Sequence, residues 1–107
     1  MKKNKIFVAC DTSNLNLVKK IIKQTNTKEL EIIPKFGLQF FYSKKGRKFL
    51  EKVNKSFFLD LKINDIKQTA LSAIDSLKDL KKCRYITVHA NGGLEMLKAV
   101  KNKAKET

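Results

Sequence analysis

Residues 57–66 read Phe57-Phe58-Leu59-Asp60-Leu61-Lys62-Ile63-Asn64-Asp65-Ile66. Apolar residues alternate with the others from Phe57 to Lys62, which is the period of a β-strand and predicts that Asp60 and Lys62 point to the same face. Asp65 follows where the pattern changes to that of a helix. Charged groups at the end of a buried strand cost free energy unless they are used. We therefore predict an active site at this D-x-K-x-x-D segment; the alternative is a structural ion-pair cluster.

The rest of the chain repeats this change from strand to helix. The other predicted strands cover residues 6–10, 31–36 and 84–89. The predicted helices cover residues from Leu15 onward after the capping residues 12–14, residues 38–53 with Gly46 as a candidate break, residues 65–80, and the residues after Gly92-Gly93. Strict alternation predicts parallel strands joined by right-handed crossovers. Pro34 is at odds with a central strand, because proline cannot donate a ladder hydrogen bond.

Two α/β architectures satisfy the alternation. One is a small doubly wound sheet, and the other is the first half, (β/α)4, of a TIM (β/α)8 barrel. Each predicted strand ends at a polar residue, in the order Asp11, Lys35, Lys62 and His89. Barrel enzymes build their active sites at the carboxyl ends of the strands. Four polar ends in succession favour one shared pocket, in which His89 is given no catalytic role.

The charge of the chain raises the question of nucleic-acid binding. The 107 residues suffice for one domain of modest core, and their formal net charge is +14. Arginine occurs only at Arg47 and Arg84, although it is the residue best suited to bidentate phosphate contacts. The excess of lysine, together with abundant asparagine and isoleucine, is typical of an AT-rich genome. We therefore expect no nucleic-acid partner.

The apolar segments and the cysteines indicate the compartment. No apolar run approaches the roughly 20 residues of a membrane span, and the run after Lys5 ends at Asp11, so we expect neither a membrane partner nor a signal peptide. Cys10 and Cys83 are far apart and form no ligand-type pair. Free thiols, no metal site and a cytoplasmic location are the expectation.

Four segments lie at the predicted strand ends: Ala9-Cys10-Asp11, Lys35-Phe36-Gly37-Leu38-Gln39-Phe40-Phe41, residues 58–66 and Thr87-Val88-His89-Ala90-Asn91-Gly92-Gly93. Together they resemble the orotidine 5′-phosphate decarboxylase family. They follow one another in the family's order over almost the whole chain. The family fold is a (β/α)8 barrel of a type that needs about 250 residues. The resemblance implies that residues 1–107 are a single domain, the N-terminal half of a truncated barrel, and that this fragment alone is inactive.

The resemblance implies a cofactor-independent decarboxylase, a carboxy-lyase that converts orotidine 5′-monophosphate to uridine 5′-monophosphate and CO2 in de novo pyrimidine biosynthesis. Lys62 would stabilise the carbanion at C6 of the substrate and deliver the proton. Asp60 and Asp65 would offset the desolvation of that ammonium group. In the family the second acid reaches across a homodimer interface, so Asp65 would serve the neighbouring active site.

The same resemblance implies further substrate-binding residues beside Asp60 and Lys62. Asp11 and Lys35 would bind ribose hydroxyls, and Thr69 would assist Asp65 at the 2′-hydroxyl. The family's usual Asp-Ile-Pro-Asn-Thr reads Asp65-Ile66-Lys67-Gln68-Thr69 here. The lost proline is favoured at the first turn of a helix, so we expect a less rigid loop with its chemistry retained.

A rival function lies within the same superfamily. Sugar-phosphate enzymes that depend on Mg²⁺ and an enediolate share the D-x-K-x-x-D pattern. They usually carry a glutamate near the position of Lys35, so the lysine favours the decarboxylase. A non-catalytic basic fragment that binds nucleic acid is the remaining alternative.

Overall fold

Four parallel strands form one sheet in the computed structural model, which describes residues 3–106. The strands are β1 (Lys5–Ala9), β2 (Glu31–Gly37), β3 (Phe57–Ile63) and β4 (Cys83–Val88), and they lie side by side in chain order. A doubly wound sheet reverses its strand order at a switch point. Sequential order means that every crossover advances in one direction, as in a barrel. The sheet therefore fits the first half of a (β/α)8 barrel, as predicted.

Helices separate the strands along the chain. They are α1 (Leu15–Gln24), α2 (Leu38–Phe41), α3 (Gly46–Lys52), α4 (Lys67–Asp75) and α5 (Gly93–Glu106), the last preceded by a 3₁₀ turn over Ala90–Gly92. Helix α1 begins as predicted, because the side chain of Asn14 caps it by accepting the Leu17 N–H at 3.1 Å. Helix α4 is shorter than the predicted 65–80.

The predicted helix over residues 38–53 is divided into α2 and α3. Ser43 Oγ donates to the Phe40 carbonyl at 2.7 Å and accepts the Gly46 N–H at 3.1 Å, which closes the turn between the two helices. A Cβ atom at Gly46 would overlap the Phe40 carbonyl oxygen. Gly46 thus marks the break because only glycine lets the two helices approach so closely.

The two faces of the sheet are covered differently. One face packs on the helices, and its buried side chains include Phe36, Phe57 and Leu59. The other face carries Phe58 stacked on Tyr85, with ring centroids 5.9 Å apart. It is the face that a closed barrel would turn inward, and it is also the face of the polar strand ends.

Pro34 occupies β2, between two neighbouring strands, without breaking either ladder. Glu31 N–H donates to Asn4 and Cys10 N–H donates to the carbonyl of Lys35, so the odd-numbered residues of β2 bond toward β1. By the alternation of parallel pairing, the nitrogen of Pro34 faces β3. The ladder between β2 and β3 begins only at Lys35 with Phe58. The proline therefore stands where no donor is needed.

Candidate active site

The polar residues at the carboxyl ends of β2, β3 and β4 converge on the open face of the sheet. Strand pairing places Lys35 beside Phe58, and Gly37 beside Asp60. Side chains of paired residues in a parallel sheet point to the same face. Asp60 is consequently one row further toward the carboxyl edge than Lys35. Lys62 follows at the end of the same strand.

Asp60 lies at the centre of this group. Its Oδ2 accepts a hydrogen bond from Lys62 Nζ at 2.8 Å, and its Oδ1 accepts one from Thr87 Oγ1 at 2.7 Å. The side chain of Asp60 is 19% exposed, whereas that of Lys62 is 65% exposed. The carboxylate is therefore fixed from two sides, while the ammonium group remains open to a ligand.

Lys62 reaches Asp60 through a β-bulge rather than through regular alternation. Leu59 pairs with Ile86 and Ile63 pairs with Val88. Between these two pairs β3 therefore advances by four residues while β4 advances by two. Within the bulge Lys62 has φ 50°, in the left-handed region that side chains other than glycine rarely adopt. The prediction that the two charges lie together is confirmed, but the regular strand geometry predicted for Lys62 is wrong. Bulges commonly re-aim side chains beside active sites.

The electrostatics keep Asp60 ionised. The hydrogen bond from Lys62 lowers the pKa of this carboxyl below its ordinary value, and the hydrogen bond from Thr87 lowers it further. Partial burial opposes them, and the positive charges of Lys62 and Lys35 add to the lowering. Lys35 thus acts on Asp60 through its charge from the neighbouring strand.

Asp65 and Thr69 lie on the other side of Lys62. Asp65 Oδ1 accepts the Ile66 N–H at 2.8 Å, just before α4 begins. Asp65, Thr69 and Lys62 all line a cleft of about 250 Å³ beside α2 and α4. Within residues 3–106 no ion pair joins Asp65 to Lys62. The structure therefore brings Asp65 near the lysine without adding it to the hydrogen-bonded group.

Asp11 stands apart from that group as well. It follows β1 and is exposed. Its charge contributes, after burial, to raising the pKa of the Cys10 thiol. Of the six residues predicted for the site, the structure thus joins Asp60 and Lys62 directly and Lys35 by charge.

Thr87 is a member of the site that the sequence argument did not assign. Its hydroxyl contacts both Asp60 and the backbone N–H of Lys62. Alternation along β4 places Thr87 on the same face of the sheet as Tyr85. This alternation was the signal in the sequence that could have identified it. His89, two residues later, caps the 3₁₀ turn by accepting the Asn91 N–H on Nδ1 at 3.1 Å.

Metal-binding clusters and membrane-spanning helices are both lacking among the described residues. No group of three or more His, Cys, Asp or Glu side chains in residues 3–106 could hold a metal ion. In the same residues, none of the helices combines the length and apolar character that crossing a membrane requires. Cys10 and Cys83 are free thiols.

Comparison with known proteins gives one consistent family. Residues 4–107 match the family model described as orotidine 5′-phosphate decarboxylase / HUMPS family. The orotidine 5′-phosphate decarboxylase of Oenococcus oeni is 32% identical over 103 residues, which are 94% of this chain and 44% of the relative. That of Wolbachia sp. subsp. Brugia malayi is 34% identical over 107 residues, 97% of this chain and 46% of the relative. The chain spans about half the length of the curated relatives it matches.

Proposed function

The chain belongs to the orotidine 5′-phosphate decarboxylase / HUMPS family, and from this premise we propose that the protein converts orotidine 5′-monophosphate to uridine 5′-monophosphate and CO2, a step of de novo pyrimidine biosynthesis. The contact of Lys62 Nζ with Asp60 Oδ2, at 2.8 Å, is the observation that carries the proposal. It lies at the carboxyl end of a barrel-type strand, where such folds build their chemistry. The similar proteins from Oenococcus oeni and Wolbachia are named for this reaction.

The reaction requires an electrostatic catalyst. Breaking the C6–carboxylate bond leaves an electron pair in the plane of the pyrimidine ring, where no conjugated carbonyl can accept it. A positive charge held beside C6 lowers the energy of this carbanion. The exposed ammonium of Lys62 is suited to that position. It then transfers a proton from Nζ to C6, so that an N–H bond breaks as a C–H bond forms, and solvent restores the proton.

Asp60 keeps that ammonium charged. Enclosing Lys62 under a substrate disfavours its charged form, and an adjacent carboxylate offsets this cost. The lowered pKa of Asp60 means that the carboxylate is already ionised before the substrate arrives. In this proposal Asp60 also lies beside the departing carboxylate of the substrate, whose repulsion favours loss of CO2.

In this proposal substrate binding involves four further residues and a second subunit. Asp11 and Lys35 bind ribose hydroxyls, each from a strand end on the same edge of the sheet. Asp65, assisted by Thr69, serves the site of a neighbouring subunit in a homodimer. Support comes from the exposed side chains nearby. Leu38 and Tyr42 line the same cleft and are 50% and 76% exposed, and Ile66, which follows Asp65, is 71% exposed. A partner subunit would cover these apolar side chains.

We further propose that residues 1–107 act as one domain that supplies half of a barrel. Strands β1 and β4 each have one unpaired edge among the described residues. The free cysteines fit a cytoplasmic protein, since reducing compartments keep thiols free. Turnover is expected when this chain is joined to the part of the Oenococcus oeni relative that it does not match, and not in this chain alone. Equal turnover in both forms would overturn the half-barrel proposal.

Measuring the loss of orotidylate absorbance tests the activity. In the active form Lys62→Ala should abolish turnover while part of the ligand affinity remains, because ribose contacts lie elsewhere. Lys101→Ala, which removes an exposed lysine of α5, is the matched control and should leave turnover unchanged. Near-normal kcat in Lys62→Ala would contradict the role of the lysine. Mg²⁺-dependent turnover of a sugar phosphate, or salt-sensitive RNA binding without decarboxylation, would contradict the function itself.

A further inference from the structure

A single hydroxyl group connects the two charged residues of the candidate site. Thr87 Oγ1 donates to Asp60 Oδ1 at 2.7 Å and accepts the backbone N–H of Lys62 at 2.9 Å. A threonine hydroxyl has one hydrogen, and the amide of Lys62 can only donate. The direction of both hydrogen bonds is therefore fixed, with the hydroxyl hydrogen on the carboxylate.

The hydrogen bond to Lys62 compensates for the bulge in β3. The register between β3 and β4 passes from Leu59 with Ile86 to Ile63 with Val88, so the residues between them lose regular ladder partners. The hydroxyl of Thr87 accepts the Lys62 N–H in place of a backbone carbonyl. It thereby satisfies a donor in the segment where the backbone adopts φ 50°.

We propose that Thr87 is a positioning residue, which fixes the Asp60 carboxylate and the Lys62 backbone relative to each other so that the ammonium stays in contact with the carboxylate. Threonine suits this task because its β-branched side chain is stiff at χ1. The consequence for catalysis rests on the proposed function. The consequence for the geometry of the pair does not.

The charge state of Asp60 reports on this arrangement. Three groups face its carboxylate: Lys62 from its own strand, Thr87 from β4 and Lys35 from β2. Removing the hydroxyl of Thr87 leaves the two lysines in place. The pKa of Asp60 should then shift upward and remain below its ordinary value.

The test compares two substitutions at one position. Thr87→Val removes the hydroxyl at nearly constant shape, and Thr87→Ser retains it. Titration of the Asp60 side-chain carbon by NMR should show the upward shift in the valine variant only. Exchange of the Lys62 amide hydrogen should become roughly fivefold faster in the valine variant, as expected for the loss of one ordinary hydrogen bond. The serine variant should restore both values toward those of the parent.

A matched control separates this effect from a general loss of threonine. Thr27→Val removes an exposed loop hydroxyl that accepts the Glu29 N–H at 3.3 Å, and should change neither measurement. In the active form, Thr87→Val should lower kcat by up to about a hundredfold, the effect of a small misplacement, with recovery in Thr87→Ser. Thr87→Ala provides a second hydroxyl-free variant if the valine variant does not fold.

The outcomes distinguish this proposal from the proposed function. An unchanged Asp60 titration and an unchanged Lys62 exchange rate in the hydroxyl-free variants would overturn the positioning role. If both measurements change as expected while the parent shows no decarboxylation, the positioning role stands and the proposed reaction is wrong. Failure of Thr87→Ser to restore the parent values would also overturn the proposal, because the hydroxyl would then not be the group that matters.

Discussion

Replacing Lys62 by glycine should give a more stable protein than replacing it by alanine, although the site lies in a strand. Glycine in a strand ordinarily costs about 0.5–1 kcal/mol relative to alanine through backbone entropy. At Lys62 the backbone has φ 50°, where an L-residue costs roughly 1–2 kcal/mol. Alanine retains that strain and glycine removes it.

The comparison of the glycine and alanine variants isolates the effect of the backbone conformation on the unfolding free energy. Both substitutions remove the contact with Asp60, so the loss of the ion pair cancels between them. That loss is in any case about 0–1 kcal/mol, because the Lys62 side chain is 65% exposed. Subtracting the entropy cost from the strain, at the midpoints of the two ranges, leaves glycine more stable than alanine by about 0.75 kcal/mol. In the active form, both variants should lack turnover.

Urea unfolding of the two variants measures this difference. Lys5 in β1 supplies the control, because Lys62 is the one residue other than glycine with positive φ among residues 3–106. At Lys5 the order should invert, with glycine less stable than alanine by about 0.5–1 kcal/mol. A glycine variant at position 62 that is no more stable than the alanine variant would refute the inference that strain is stored there.

Three further results are expected. Gly46→Ala should cost about 1–3 kcal/mol of unfolding free energy in urea because its Cβ would overlap the Phe40 carbonyl; Gly37→Ala, with nothing within 4 Å, is the control, and equal costs would contradict the packing argument. The lowered pKa of Asp60 makes a contribution to stability that is complete above pH 3.8, its ordinary value, and is lost as the pH falls through the lowered value. The unfolding free energy of Asp60→Asn should therefore decline less steeply below that pH than that of the parent protein. An equally steep decline would count against a stabilising contact between Lys62 and Asp60. Burial raises the pKa of Cys83 to about 11, so alkylation followed by mass spectrometry at pH 8 should be slower in the folded than in the urea-unfolded chain; equal rates would disprove the protection.

The strands could be predicted because the relevant signals are local, but the alternation of strands and helices left their order in the sheet open between two architectures. Each strand is a short apolar run, and each run is followed by a capping or turn residue such as Asn14 or Gly37. The end of the helix predicted over residues 65–80 could not be placed this way. Apolar residues continue at helical spacing as far as Leu77 and Leu80, but α4 ends at Asp75. Those two leucines are buried from a turn instead, so hydrophobic burial alone did not specify helix there.

The composition of the site was predictable, and its construction was not. Asp60 and Lys62 are two residues apart, so their proximity follows from almost any extended geometry. The bulge depends on how β3 and β4 align, which is a property of two segments about 25 residues apart in the chain and leaves no period-2 signature in either. Thr87 was missed for the same reason, since a threonine in a strand is ordinary until the bulge gives its hydroxyl two partners.

Two features of this site have a cost in stability, which opposes the favourable hydrogen bonds to Asp60. Lys62 carries an exposed charge on a left-handed backbone, and Asp60 is a carboxylate held largely away from water. An alternative strand with an apolar residue at Asp60 and a regular backbone at Lys62 would fold at lower cost. Strain and partly buried charge persist together mainly where function requires them. A purely structural ion pair would need the charges but not the bulge, so the left-handed Lys62 favours the proposed active site over a stabilising contact.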